Sequence, residues 1–302
     1  MYPDFLPDEV NLLQNSDSIS FAKSIKRKPV STSLTNRAIT LRVPFGIATA
    51  YSKSGNNNPP ILLLHGFDSS MLEYRSLYPL LSEHETWAVD LLGFGFTERL
   101  SNIPCNPQTI KEHLYCFWRE MINRPVVLVG ASMGGAVGID FATTYPDAVE
   151  KLVLINSVGY SGSFVLGKLL FEPIEWFAVE FLRQRRIQTL FWGKNLGLLD
   201  PKIEDAIRCA ALPSLMPNWE KAIADFTRSG GYYYLENRIP SISQPTLILW
   251  GDKDEILGTE AAIKFQRAIA QSELVWLQAG HVPHWEQPKT VAAYILKFIS
   301  ST

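Results

Sequence analysis

Residues 126–145 read VVLVGASMGGAVGIDFATTY. The opening VVLV is a short, continuous apolar run, the kind that fills a strand buried on both faces. The closing GAVGIDFATTY has helical character, and Gly130-Ala131-Ser132-Met133-Gly134-Gly135 joins the two. A sharp turn from strand into helix crowds the backbone around its central residue, and glycines relieve that crowding because they carry no Cβ. G-x-S-x-G in this setting places the Ser132 hydroxyl at the carboxyl edge of a sheet, above a helix N-terminus. Taken alone, the same residues are equally a plain strand-turn-helix junction with a surface serine.

Working outward, the same kind of run recurs at Ile61–Leu64, Trp87–Val89, Leu152–Ile155, Thr246–Trp250 and Leu274–Leu277. Helix-like segments lie between several of them. Asn106-Pro107 supplies an N-cap and a first-turn proline. Ile110, Leu114, Phe117 and Met121 then recur at helical spacing, which turns one apolar face toward a sheet. Strands alternating with helices predict an α/β class with a mostly parallel central sheet flanked by helices. Upstream, ITLRV and IATAY read as a pair of strands, and residues 1 to about 38 as an N-terminal arm with one short helix and a basic cluster, Lys26-Arg27-Lys28. No buried strand is expected from about residue 160 to 240, so that segment reads as a helical insertion. The expected division is a core of residues 1–159 and 241–302 with a helical cap at 160–240.

Composition narrows the classes. The chain has 302 residues, 46% hydrophobic and 19% charged, enough apolar content to bury a sizeable core. Its net charge of −2 lacks the basic excess of a nucleic-acid binder. Three cysteines without a C-x-x-C pair imply neither a disulfide framework nor a thiolate metal site. No run of 18 apolar residues is present, and the N-terminus does not read as a signal peptide, so the expected location is cytoplasmic. A small-molecule substrate is expected, without metal or organic cofactor, and the oligomeric state is left open.

Three more strand ends carry chemistry. His65-Gly66-Phe67 follows ILLL, Gly251-Asp252-Lys253-Asp254 follows TLILW, and Gly280-His281-Val282-Pro283-His284-Trp285-Glu286 follows LVWL. A serine nucleophile needs a general base, and the base needs an acid that fixes its tautomer. Parallel strands share one carboxyl edge, so their end loops gather Ser132, Asp254 and His281 above one crevice. The amides of Phe67 and Met133 are the natural pair of donors for an oxyanion, whose charge appears only in the transition state. Each of these pieces has a bland reading by itself, as a βα turn or a satisfied histidine; the ordered conjunction does not.

The pieces LLLHGF, WAVDLLGFGFTER, VGASMGG, YPDAVEKLVLINS, PTLILWGDKDEI and GHVPHWEQP together resemble the α/β-hydrolase fold superfamily, in its serine-nucleophile branch with a helical cap after the sixth strand. The resemblance runs from about residue 60 to the C-terminus, outside the divergent cap. It implies Ser132 as nucleophile, Asp254 as triad acid and His281 as base, with Phe67 and Met133 N–H as oxyanion donors. Its W-G-x-x-D spacing favours Asp254 over Asp252, and its G-H-x-P pattern favours His281 over His284, which is left as a pocket-wall residue. Asp90 matches a buried structural aspartate. Relatives that attack saturated carbon carry Asp at the turn, whereas this chain has Ser132, which favours acyl chemistry. The expected activity is hydrolysis of a carboxylic ester with an apolar moiety through an acyl-enzyme. The alternatives are C–C bond or lactone hydrolysis by the same triad, and a ligand-binding role on the same scaffold. The cap is rich in aromatic residues, and Trp176 and Phe177 are the expected pocket contributors there, although packing of cap against core accounts for most such residues equally well.

Overall fold

A computed structural model describes residues 1–36, 39–160, 184 and 200–301. Trp176 and Phe177, the expected pocket contributors, lie outside the described residues. The strands are β1 (Lys26–Asn36), β2 (Ile39–Ser54), β3 (Asn57–Leu64), β4 (His84–Val89), β5 (Val126–Ala131), β6 (Val149–Ile155), β7 (Thr246–Gly251) and β8 (Ser272–Leu277). They form one sheet in the order β1-β2-β4-β3-β5-β6-β7-β8. The pairs from β4 through β8 are parallel, while β1–β2 and β2–β4 are antiparallel. The helices are α1 (Ser16–Ser24), α2 (Pro107–Met121), α3 (Met133–Thr144), α4 (Pro201–Ala211), α5 (Trp219–Ser229), α6 (Glu260–Ala268), α7 (Pro283–Glu286) and α8 (Pro288–Ser300). This is the expected α/β class.

Both faces of the central strands are covered, which is why those strands read as unbroken apolar runs. On one face Leu62, Leu64, Leu128, Leu152, Leu154 and Ile248 pack beneath Ile110, Leu114 and Phe117 of α2 and Ala136, Val137 and Phe141 of α3. On the other, Ile61, Leu63, Val127, Val129, Val153 and Leu247 meet Phe21 and Ala22 of α1 and Val291, Ile295 and Ile299 of α8. Helix α2 begins as its sequence predicts. Asn106 Oδ1 accepts from Thr109 N at 3.0 Å, Thr109 Oγ1 accepts from Asn106 N at 3.2 Å, and Pro107 fills the first turn.

Three expectations change. ITLRV and IATAY are not two strands but parts of the single 16-residue strand β2. The arm does hold a short helix, α1, but it also supplies β1, which pairs along β2 from Lys26↔Tyr51 to Asn36↔Ile39 and so covers an edge of β2 that would otherwise offer unpaired backbone groups. The basic cluster is absorbed in this work: Arg27 donates to Phe96 O and Lys28 lies 3.5 Å from Glu120. Finally, LVWL is not buried on both faces. It belongs to β8, the far edge strand, and Trp276 is 43% exposed.

Between β6 and β7 the described residues contain helices and turns but no strand. None of the described helices is long and apolar enough to cross a membrane.

Candidate active site

Ser132 follows the last residue of β5 and caps α3 with φ 52° and ψ −117°. A non-glycine residue in such a conformation costs about 1–3 kcal/mol, so the surroundings must hold it there. They do: Ser132 N donates to Ile155 O at 2.9 Å, and Ser132 O accepts from Gly135 N at 3.1 Å and Val158 N at 3.0 Å. The turn is possible only because its flanks lack side chains. A Cβ on Gly134 would lie 2.0 Å from Leu64 O, and one on Gly130 would lie 2.3 Å from Gly134 O. Helix α3 therefore starts pressed against the end of β3.

Opposite the serine, the loop after β8 presents His281. Its Nε2 is 3.1 Å from Ser132 Oγ, and its Nδ1 lies 3.1 and 3.0 Å from the two Asp254 oxygens. Asp254 is 5% exposed, on the loop after β7, whereas Asp252 is exposed to solvent. The Asp254 carboxylate accepts from Ile256 N at 2.9 Å, Leu257 N at 3.0 Å and Asn156 Nδ2 at 2.6 Å. Burial pushes its pKa up, but the hydrogen bonds from His281, Asn156 and Leu257 and the nearby imidazole outweigh burial and leave it below the usual carboxylate value. An ionised Asp254 keeps the proton on Nδ1 and leaves the Nε2 lone pair toward the hydroxyl. The arrangement can thus take a proton from Ser132 and hold the imidazolium that results. Chain separations of 149 and 27 residues are bridged by contacts at strand ends.

Sequence reasoning passed over Asn156. It sits at the end of β6 with φ 41°, donates to Asp254 and accepts Gly251 N at 3.0 Å through Oδ1. Its amide therefore joins the ends of β6 and β7 and aims the carboxylate. The only hint in the sequence is an Asn directly after LVLI, where αL conformations suit Asn.

The turn after β3 is braced from below. His65, fully buried, accepts from Leu91 N at its Nε2 (3.1 Å), so its Nδ1 carries the proton and donates to Gly66 O at 2.8 Å. Burial lowers its pKa to about 4 against the Gly66 hydrogen bond, consistent with a neutral ring. Asp90, read as structural from sequence, is fully buried and accepts from Met71 N at 2.6 Å and Phe96 N at 2.7 Å. On the far side, Glu286 accepts from Gly280 N at 2.9 Å and shapes the loop that carries His281.

Phe67 and Met133 both line the cavity with Ser132 and His281. Met133 opens α3, where an N–H has no acceptor within its own helix. The cavity holds about 540 Å³, in the range of small-molecule sites. Val158, Ala210, Phe226, Ile256 and Leu257 give it apolar walls. His284, expected on the wall, is there and 2% exposed; Glu73 and Tyr232, which the sequence reading did not single out, are there too.

The alpha/beta hydrolase family model matches residues 61–294. The alpha/beta hydrolase domain-containing protein VTE7 of Arabidopsis thaliana is 34% identical, over 99% of this chain and 91% of its own length. A 2-hydroxy-6-oxo-2,4-heptadienoate hydrolase of Pseudomonas putida is 27% identical, over 85% of this chain and 94% of its own. Among solved structures, an esterase from Thermogutta terrifontis superposes with TM-score 0.70 at 25% identity, covering 91% of this chain and all (100%) of that one.

Proposed function

The chain belongs to the alpha/beta hydrolase family and is a hydrolase, and from that premise we propose that it cleaves carboxylic esters through Ser132, His281 and Asp254. The observation that carries this reading is the unbroken line of contacts from the Ser132 hydroxyl through the His281 ring to the Asp254 carboxylate. His281 takes the Ser132 proton as Oγ attacks the ester carbonyl. The amides of Phe67 and Met133 hold the oxyanion, as in other acyl-transfer sites. His281 then gives the proton to the departing alcohol, leaving an acyl-enzyme. Water, deprotonated by the same ring, releases the acid. The apolar walls favour an apolar acyl or alcohol moiety, and the described part of the expected cap, from residue 200 on, supplies Ala210 and Phe226 to them. No metal or organic cofactor enters this scheme.

The test is hydrolysis of p-nitrophenyl esters of graded chain length by the wild type and Ser132→Ala. Loss of a triad nucleophile lowers turnover on the order of 10⁶-fold, so the variant should be silent. Undiminished activity in Ser132→Ala refutes the assignment. A second reading, hydrolysis of a C–C bond beside a ketone, is favoured by the name of the Pseudomonas putida relative. Vinylogous diketones assayed beside the esters separate the two chemistries.

A further inference from the structure

Beyond Ser132 and His281, the cavity wall carries the polar side chains of Asp68, Ser69, Glu73, Tyr232 and His284 among the described residues. His284 is 2% exposed, and among the described residues neither of its ring nitrogens has a hydrogen-bond partner. Its Nε2 lies 3.6 Å from Glu73 Oε1, which is beyond hydrogen-bond reach. Its ring rests 5.1 Å from the ring of Tyr74, so packing fixes its position. Glu73 is itself anchored, since both its oxygens accept from Gly66 N at 3.1 Å. A Cβ built on Gly66 would lie 3.5 Å from both Glu73 Oε2 and Ser132 Cβ, which puts the carboxyl next to the serine. A third group shares the cavity: the Tyr232 hydroxyl, on a residue 2% exposed, also has no partner among the described residues.

Buried polar groups are almost always hydrogen-bonded, because water is lost on burial and nothing replaces it unless a partner is found. Two such groups, the His284 ring and the Tyr232 hydroxyl, belong to residues that line one cavity together with the anchored Glu73 carboxyl, and a partner that enters the cavity would complete them. We propose that Glu73, His284 and Tyr232 form a polar subsite beside Ser132 that receives an uncharged, hydroxyl-bearing part of the substrate. This deepens the ester-hydrolase reading above and rests on it.

The chemistry selects a hydroxyl over the alternatives. A neutral imidazole offers one donor and one acceptor, and a hydroxyl is the complement of both. Burial, with His281 and Arg75 adding to it, holds the His284 ring down at about 3, so the ring is neutral at neutral pH. An anion would face the Glu73 and Asp68 carboxyls, and no lysine or arginine is among the described lining residues to offset them. A cation would need a fully ionised partner, whereas burial raises Glu73 to about 7 against its hydrogen bonds from Ser69 and Gly66. A wholly apolar substrate would leave the unpartnered atoms buried with nothing to bind.

The test compares substrates that differ only in hydroxyls, on either side of the ester. Glycerol monobutyrate is set against propyl butyrate, and ethyl beta-hydroxybutyrate against ethyl butyrate. The quantity read is the ratio of kcat/KM for the hydroxylated ester to that for its plain partner, which is insensitive to changes in overall activity. In the wild type at least one pair should give a ratio of about ten or more. His284→Leu should bring that ratio to within about twofold of one, and His284→Gln, which keeps a donor and an acceptor, should retain more of it. Tyr232→Phe removes a single oxygen and keeps the packing, so it reports even where His284→Leu does not fold; it should lower the ratio about threefold. A wild-type ratio near one in both pairs overturns the subsite, as does a ratio unmoved in both His284→Leu and Tyr232→Phe. Plain esters cleaved by wild type but not by Ser132→Ala, without preference for hydroxyls, sink the subsite alone. Failure to cleave any of the esters sinks the ester reading and the subsite with it.

Discussion

The carboxylate of Asp254 has four hydrogen-bonding partners: the His281 ring, the Asn156 amide and two backbone N–H groups. Together they fix its direction, and direction is what the imidazole needs from it. Asn156 is the member whose removal is most informative, because its amide hydrogen-bonds to Asp254, Gly251 N and Gly280 O rather than to the serine or the ring. Asn156→Ala leaves Gly251 N without its acceptor and frees the carboxylate to swing. A hydrogen bond to a charged group of this kind is worth about 1.5–3 kcal/mol, so kcat for ester hydrolysis should fall roughly tenfold to a hundredfold with KM little changed. Steady-state kinetics on one p-nitrophenyl ester checks this. At this scale the sequence was informative where chemistry demands a local motif. Gly130, Ser132 and Gly134 are forced together by one turn, and Asp254 and His281 each follow a recognisable strand. Asn156 and Glu73 escaped because their roles exist only in contacts: Asn156 meets Asp254 across 98 residues, and a glutamate seven residues after Gly66 carries no pattern of its own.

At the scale of elements, the sheet holds its strands in register chiefly through apolar packing, but one buried polar contact ties a helix to it. His113 of α2 is 2% exposed and meets Thr49 Oγ1 of β2 at 2.9 Å. Burial lowers its pKa to about 4. The sign follows directly. Between pH 6.5 and about 4 the unfolded chain takes up a proton at this histidine that the folded chain refuses, so the histidine subtracts stability as pH falls through that window. Replacing it by Gln removes this term. The stability gap between wild type and His113→Gln should therefore narrow by roughly 2 kcal/mol from pH 7 to pH 4.5, measured by urea unfolding at both values. A gap that stays constant with pH contradicts a buried neutral ring. Elements also show where reading from sequence stops. LVWL has the same composition as the central strands, yet it lies at the edge, since position in a sheet is set by topology and not by a strand's own residues. Strand β1, KRKPVSTSLTN, escaped for the opposite reason: it is a polar edge strand without the apolar run that marked the others.

Over the whole molecule, one geometric consequence does the organising. A parallel sheet delivers the ends of β5, β7 and β8 to a single edge, and the residues just past those ends meet although 149 residues separate Ser132 from His281. The helices between β6 and β7 add Ala210 and Phe226 to the same cavity, and Trp219 Nε1 of α5 donates to Asp68 at 2.8 Å, so that segment is fastened at the turn after β3. This convergence was legible in advance because strand order matters less than strand direction for it. What the cavity accepts was not legible, since its walls are assembled from distant parts of the chain. The central claim is that the convergence makes one hydroxyl nucleophilic. A fluorophosphonate probe reads that property without assuming a substrate. On the full-length protein, labelling followed by peptide mass spectrometry should place the phosphonyl group on Ser132, and His281→Ala should abolish it. A folded wild-type protein that takes no label, or takes it on a serine other than Ser132, contradicts the account.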